Sequence, residues 1–386
     1  MNTKNVKDVV TRPGKKMILV AATAMALAIG CKKPNVDVKD LKDFKQVNLV
    51  ANNSKYAPLT IDPTLINAFG IAWSPTGIAW VNSAGGHVSE LYTSEGGIAR
   101  QGVNIPTPTD SINGFPCGIV FSSGKGFNLA NGPSAFLFTS FDGVLSGWNG
   151  ASGNNAKRIK APAGASFTGL AIASNGGRNF IYGANFGKSR IVVWDTAFNL
   201  VSMPFVDPSL PAKYSPYNIQ AVGDYLFVMY AVLGDDGHGV SGAGNGYVSV
   251  FKTDGTFLKR FASRGTLNIP WGVTMAPGSF LEDNDMGDGN DDEGGYGDKS
   301  DLQRGKHDPK DPVILVGNFG DGRINVFSQD GIYLGQLQSH KHTIVIEGLW
   351  ALTFPPATAN IDSKRLYFSA GPANEADGVF GYVIKQ

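Results

Sequence analysis

An all-β chain, folded as a six-bladed β-propeller closed by an N-terminal strand that completes the last blade, is what the sequence predicts. Three observations carry the prediction. A short apolar strand with a small residue near its start recurs at intervals of about 50 residues, a period in the propeller range. Each recurrence is followed by further short apolar runs separated by glycine or Asp-Gly turns. The two ends of the chain are incomplete in complementary ways, a lone strand at one and a three-stranded unit at the other.

The clearest single stretch is Gly317 to Phe327, GNFGDGRINVF, which reads as strand, tight turn and strand. Asn185 to Trp194 repeats it, and Phe141 to Trp148 does so more loosely. The first strands are Phe69–Trp73, Cys117–Phe121, Thr168–Ile172, Tyr217–Ala221, Trp271–Met275 and Trp350–Phe354. The second strands are Ile78–Val81, Ala135–Phe138, Phe180–Tyr182, Tyr225–Val228, Val313–Val316 and Leu366–Phe368. A four-stranded sheet cannot bury both faces alone, so six of them stack radially and share apolar faces. The glycine in most first strands fits a position where backbones crowd the central axis. The last unit stops at its third strand, Val379 to Ile384, and Phe44 to Val50 has no blade of its own. Pairing the two closes the ring and covers both edges. No stretch has the length and 3.6-residue apolar period of a substantial helix. Asp62 to Ile66 and Pro208 to Pro211 read as short helical turns.

With 50 glycines and 21 prolines against 17% charged residues, the composition suits many short strands and tight turns. A formal charge of +1 gives no electrostatic basis for nucleic-acid binding. Two cysteines are too few for a disulfide framework. Residues 1–30 read as a lipoprotein signal peptide, with a basic start and an apolar run from Met17 to Ile29 too short to span a bilayer. The run ends in Ala28-Ile-Gly-Cys31, which resembles a bacterial lipobox with Cys31 as the lipidated residue. The competing reading is ordinary cleavage between Ala26 and Gly30 with Cys31 free; the position of Cys31 favours lipidation. Residues 31–43 then form a tether and 44–386 the propeller. Cys117, in an apolar strand, reads as a buried small hydrophobe.

Two insertions interrupt the repeat. Gly234 to Asn245 is glycine-rich and lies between second and third strands of the fourth unit. Residues 278–311 are acidic and lie between first and second strands of the fifth. In this meander, loops before first strands and loops between second and third strands share one face. The glycine-rich insertion should therefore overhang one mouth of the channel, and the acidic insertion should decorate the other side.

Several stretches also resemble a known group. They are Asp62 to Gly70, Pro211 to Gln220, Leu267 to Gly272, Val316 to Asn325, Glu347 to Leu352 and Tyr367 to Gly381. On these the chain resembles a family of uncharacterised bacterial secreted or surface proteins with an NHL/gluconolactonase-like propeller. The resemblance implies the fold and carries no assigned reaction or catalytic residue. The long acidic insertion and the lipoprotein start depart from it.

Chemistry could sit at the channel mouth, where Asn67, Asn113, Asn218, Asn268 and Glu347 lie at or just before first strands. Oxygen ligands suit Ca²⁺, and gluconolactonase-like and paraoxonase-like propellers hold a metal in a similar arrangement. Against this, asparagine is a common turn residue and the offsets of Asn67 and Asn268 differ. Asn218 replaces the glycine of other first strands, so a polar group enters a crowded position and needs a partner. In the acidic insertion, Asp283, Asp285, Asp288 and Asp291 have something of a calcium loop, but the EF-hand register fails. The low apolar content reads instead as a solvated loop. The histidines are scattered and read as surface residues, with His238 in reach of the mouth. The six tryptophans read as blade packing, with Trp271 and Trp350 near enough to the axis to line a pocket.

The expected function is a lipid-anchored ligand-binding or protein-interaction module of the cell envelope, on the outer membrane or cell surface. It would be monomeric, with a small molecule or a protein as partner. The alternative is a Ca²⁺-dependent hydrolase of lactones or esters, with Asn67, Asn218, Asn268 and Glu347 as ligands.

Overall fold

Alternation along the strands decides where each side chain goes. In Val313–Asn318, Val313 and Leu315 face blade 6 while Ile314 and Val316 face blade 4. Such a strand, apolar on both faces, is stable only between two neighbouring sheets. The computed structural model describes residues 41–282 and 312–386 and contains six blades. Their innermost strands are Ala68–Trp73, Pro116–Phe121, Phe167–Asn175, Tyr214–Val222, Pro270–Ala276 and Leu349–Thr353. Blades 1 to 5 are four-stranded antiparallel meanders, as in Ala68–Trp73, Ala79–Ser83, Val88–Tyr92 and Ile98–Asn104 of blade 1. Cys31 and the aspartates Asp283, Asp285, Asp288 and Asp291 lie outside the described residues. Among the described residues no helix is long and apolar enough to cross a membrane.

Blade 6 closes the ring as the ends of the sequence predict. Its third strand, Val379–Lys385, pairs antiparallel with Phe44–Ala51, from Phe44 opposite Lys385 to Ala51 opposite Val379. Thr60–Ile61 adds a short parallel strand outside it. Lys385 is buried in this seam and donates from Nζ to the carbonyl of Leu281 at 2.7 Å, fastening the root of the blade 5 insertion.

The core follows the radial stacking. Each pair of adjacent blades encloses one apolar cluster, and a further cluster fills the axis. Trp73, Trp80, Trp148 and Trp194 pack between blades, whereas Trp271 and Trp350 belong to the axial cluster. At the axis the innermost strands carry Gly70, Gly118, Gly169, Asn218, Gly272 and Ala351 in equivalent places. The crowding there is severe: a Cβ on Gly272 would stand 2.6 Å from the carbonyl oxygen of Trp350. Asn218 meets its need for a partner within this crowd. Its Nδ2 donates to the Trp271 carbonyl at 2.8 Å and its Oδ1 accepts from the Ile219 N–H.

The two segments expected to be short helical turns are tight turns held by aspartate side chains. Asp62 accepts from the Thr64 N–H and from the phenol of Tyr92. Asp207 accepts from the Ser209 N–H, from Ser249 Oγ at 2.6 Å and from Arg260 Nε at 2.5 Å. Local side-chain bonds of this kind compete successfully with a helical turn.

Burial alone would raise the Asp207 carboxyl, but Arg260, Ser249 and the Ser209 N–H outweigh it and hold it at about 2. A depressed carboxyl stabilises the fold above its unfolded pKa, and that contribution disappears as pH falls through the folded value. Unfolding measured by denaturant between pH 5 and pH 2 should show the wild type losing about 2 kcal/mol through this group. Asp207→Asn should lack that part of the acid sensitivity.

Candidate functional site

First strands begin, and second strands end, on one face of the ring, and a cavity of about 530 Å³ opens there. Its walls come from four sequence contexts. Phe115 and Ser166 precede first strands, and Tyr217 and Trp350 lie on them. Phe141 and Phe186 sit just after second strands. Asp236, Gly237 and His238 reach in from the glycine-rich insertion of blade 4, so that insertion does overhang this mouth. Glu375 comes from the loop between the second and third strands of blade 6.

The cavity stands on an aromatic plug. Trp350 is sandwiched between Phe69 and Phe319, each with its ring centroid 3.8 Å away. Trp271 and Phe141 meet Phe69 edge to face, at 87° and 84°. Phe186 meets Tyr217 at 65°. Such offset and edge-on contacts are the favourable ones for aromatic rings. Both indole N–H groups are satisfied, Trp271 by the Thr168 carbonyl at 2.9 Å and Trp350 by Asn67 Oδ1 at 2.8 Å. Cys117, buried in the same plug, donates to the Phe167 carbonyl, and burial pushes its thiol well up.

A polar relay runs from the plug to the rim. Asn67 receives the Trp350 indole and donates from Nδ2 to Glu375 Oε2 at 2.6 Å. Burial raises the Glu375 carboxyl above its ordinary value, partly offset by the Asn67 bond and by His238. Burial and the nearby Glu375 charge push the Tyr217 phenol up as well.

The backbone presenting Glu375 is strained. Ala373, Asn374 and Glu375 are consecutive residues in the left-handed region, with φ of 55°, 53° and 67°. For residues with a Cβ this costs about 1–2 kcal/mol each, less for asparagine. Other parts of the chain hold the turn in place. Glu347 Oε1 accepts from the Ala373 N–H at 3.0 Å. Asp377 accepts from Asn52, Asn53 and, at 2.6 Å, the phenol of Tyr56, all from the segment that follows the closing strand. Strain kept by such outside contacts concentrates at functional positions.

Relatives of this chain come from an unexpected source. Protein R648 of Acanthamoeba polyphaga mimivirus is 30% identical over 354 residues, spanning 87% of this chain and 79% of that protein. Protein L690 of the same virus is 30% identical over 359 residues, spanning 88% and 86%. The chain belongs to the family of these two proteins. Both are described as uncharacterised, and both are viral, whereas the sequence resemblance pointed to bacterial secreted or surface proteins. No protein-family model matches the chain. Among solved structures, a streptogramin B lyase aligns over 89% of this chain and 97% of its own, with a TM-score of 0.47 and 12% identity. Virginiamycin B lyase from Staphylococcus aureus aligns over 88% and 98%, with a TM-score of 0.42 and 13% identity.

In this member of the family, the residues singled out at the channel mouth separate into different roles. Asn67 lines the cavity. Asn218 instead lines a smaller hollow at the opposite end of the channel, together with Trp271. Asn113 is exposed at the rim with φ 68°. Asn268 Oδ1 accepts from Ser241 Oγ and the Gly242 N–H, so it pins the glycine-rich insertion. Glu347 is exposed and holds the Ala373 N–H. The proposed metal ligands Asn67, Asn218, Asn268 and Glu347 do not share one cavity, and one oxygen of each already accepts from a protein donor. They do not fit the oxygen cage that a Ca²⁺ ion requires. Trp350 and His238 line the cavity.

Glycine tolerates the left-handed region without the Cβ penalty. Ala373→Gly should therefore raise stability by about 1 kcal/mol, read as an upward shift in the denaturant midpoint. Unchanged or lower stability would mean that the turn is not under load.

Proposed function

We propose that the protein is a ligand-binding propeller whose ligand enters the aromatic cavity on the face roofed by Gly234 to Asn245. The observation that carries this reading is the strained turn that places Glu375 in the cavity wall. A purely structural loop gains nothing from three consecutive left-handed residues, whereas a binding site gains a fixed carboxylate. The cavity volume lies in the range of small-molecule sites, and its lining joins five aromatic rings with six polar or charged side chains. The plug beneath is already packed, so binding needs little reordering of the walls.

A crystallographic fragment screen tests the reading. Fragments should concentrate at the cavity, and Ser166→Tyr, which fills the rim with a ring, should remove them without loss of thermal stability. Fragments spread evenly over the surface, or unaffected by Ser166→Tyr, would overturn it.

We also propose that the propeller works outside the cytoplasm, held at a membrane by lipid on Cys31. The support is the basic start, the short apolar run and the small residue directly before that cysteine. Expressed from its full-length gene, the protein should fractionate with membranes, and Cys31→Ala should release it. A Cys31→Ala protein that stays with the membranes would remove the anchor.

A further inference from the structure

The charges and rings of the cavity identify the chemistry of its ligand, on the reading that the cavity is a ligand site. We propose that it takes an organic ammonium ion, with the cationic head between Glu375 and the rings of Phe141, Phe186 and Tyr217. Two carboxylates, Glu375 and Asp236, line the cavity, and among the described residues no lysine or arginine does. His238 is the one basic residue among the described lining residues. A cation entering this space meets two carboxylates against one histidine.

The hydrogen-bonding state of Glu375 sharpens the argument. Asn67 occupies Oε2, and Oε1 accepts no hydrogen bond from any described residue. The carboxylate is thus oriented by one oxygen and open at the other. Burial makes its ionised form costly, and a bound cation offsets that cost.

The rings supply the second half of the recognition. Tyr217 and Phe186 meet at 65°, and Phe141 stands edge-on to the plug at 84°, so the faces turn in different directions around the cavity. The negative face of an aromatic ring attracts an alkylated ammonium group, most strongly when the group is desolvated. A sugar or an anion fits less well. Both polar ends of Asn67 are already engaged, by Trp350 and by Glu375, and an anion would face the carboxylates.

Choline and its neutral carbon isostere, 3,3-dimethylbutan-1-ol, differ in charge and hardly in shape. Titrated into the full-length protein and followed by calorimetry or ligand-observed NMR, choline should bind at least ten times more tightly. Glu375→Gln should weaken choline at least tenfold and leave the alcohol unchanged. Equal binding of the two probes, both lost in Ser166→Tyr, would overturn the ammonium inference and leave the ligand site standing. Binding of neither probe at tens of millimolar would also overturn it, and the fragment screen then judges the site by itself. If Glu375→Gln fails to fold, the ratio of the two probes on the wild type still decides.

Discussion

The pairing of Phe44–Ala51 with Val379–Lys385 is the constraint on which the rest of the ring depends. Each blade buries both faces only because it has a neighbour on either side, and a ring supplies neighbours to all six. Left open, the structure would expose the apolar faces of two blades and a row of unpaired backbone groups. The closing strand removes both. It also brings Leu49 and Val50 into the cluster that Trp73, Tyr92, Tyr367 and Phe380 form between blades 6 and 1.

The same seam builds the candidate site. The segment directly after the closing strand supplies Asn52, Asn53 and Tyr56 to Asp377, two residues beyond Glu375. From the other side, Glu347 grips Ala373. The left-handed turn is thus clamped at both ends by parts of the chain distant in sequence, and local preference alone would not keep it. Asn67 then converts the position of the turn into the orientation of one carboxylate, with the plug as its fixed reference. Fold stability and site geometry draw on one set of contacts.

The architecture was legible because its signals are periodic. Gly70, Gly118, Gly169 and Gly272 mark backbone crowding at the axis, and a repeated cause leaves a repeated mark. The unpaired ends announced their own closure, and the requirement that Asn218 find a partner followed from its place among those glycines. The site was less legible. Glu375 sits in Ala-Asn-Glu-Ala, where no glycine advertises positive φ, and its importance comes from Asn67, more than 300 residues away. Glu347 lies just before a first strand, a place that suggests the channel mouth. Gly348, at φ 67°, turns the backbone directly after it, and the carboxylate reaches across the surface to Ala373 instead. Asn268 has the side-chain type of a ligand, yet its oxygen is taken up by Ser241 and Gly242. Side-chain type is visible in a sequence, whereas the donor that already occupies it is not.

The direction of the closing strand has a geometric corollary. Val379 lies at the cavity face and Lys385 at the opposite one, so Phe44, paired with Lys385, enters the ring from the far side. The acidic insertion of blade 5 leaves from that side too. The seam thus ties the left-handed turn to one face and the root of the blade 5 insertion to the other, like a bolt passed through the ring.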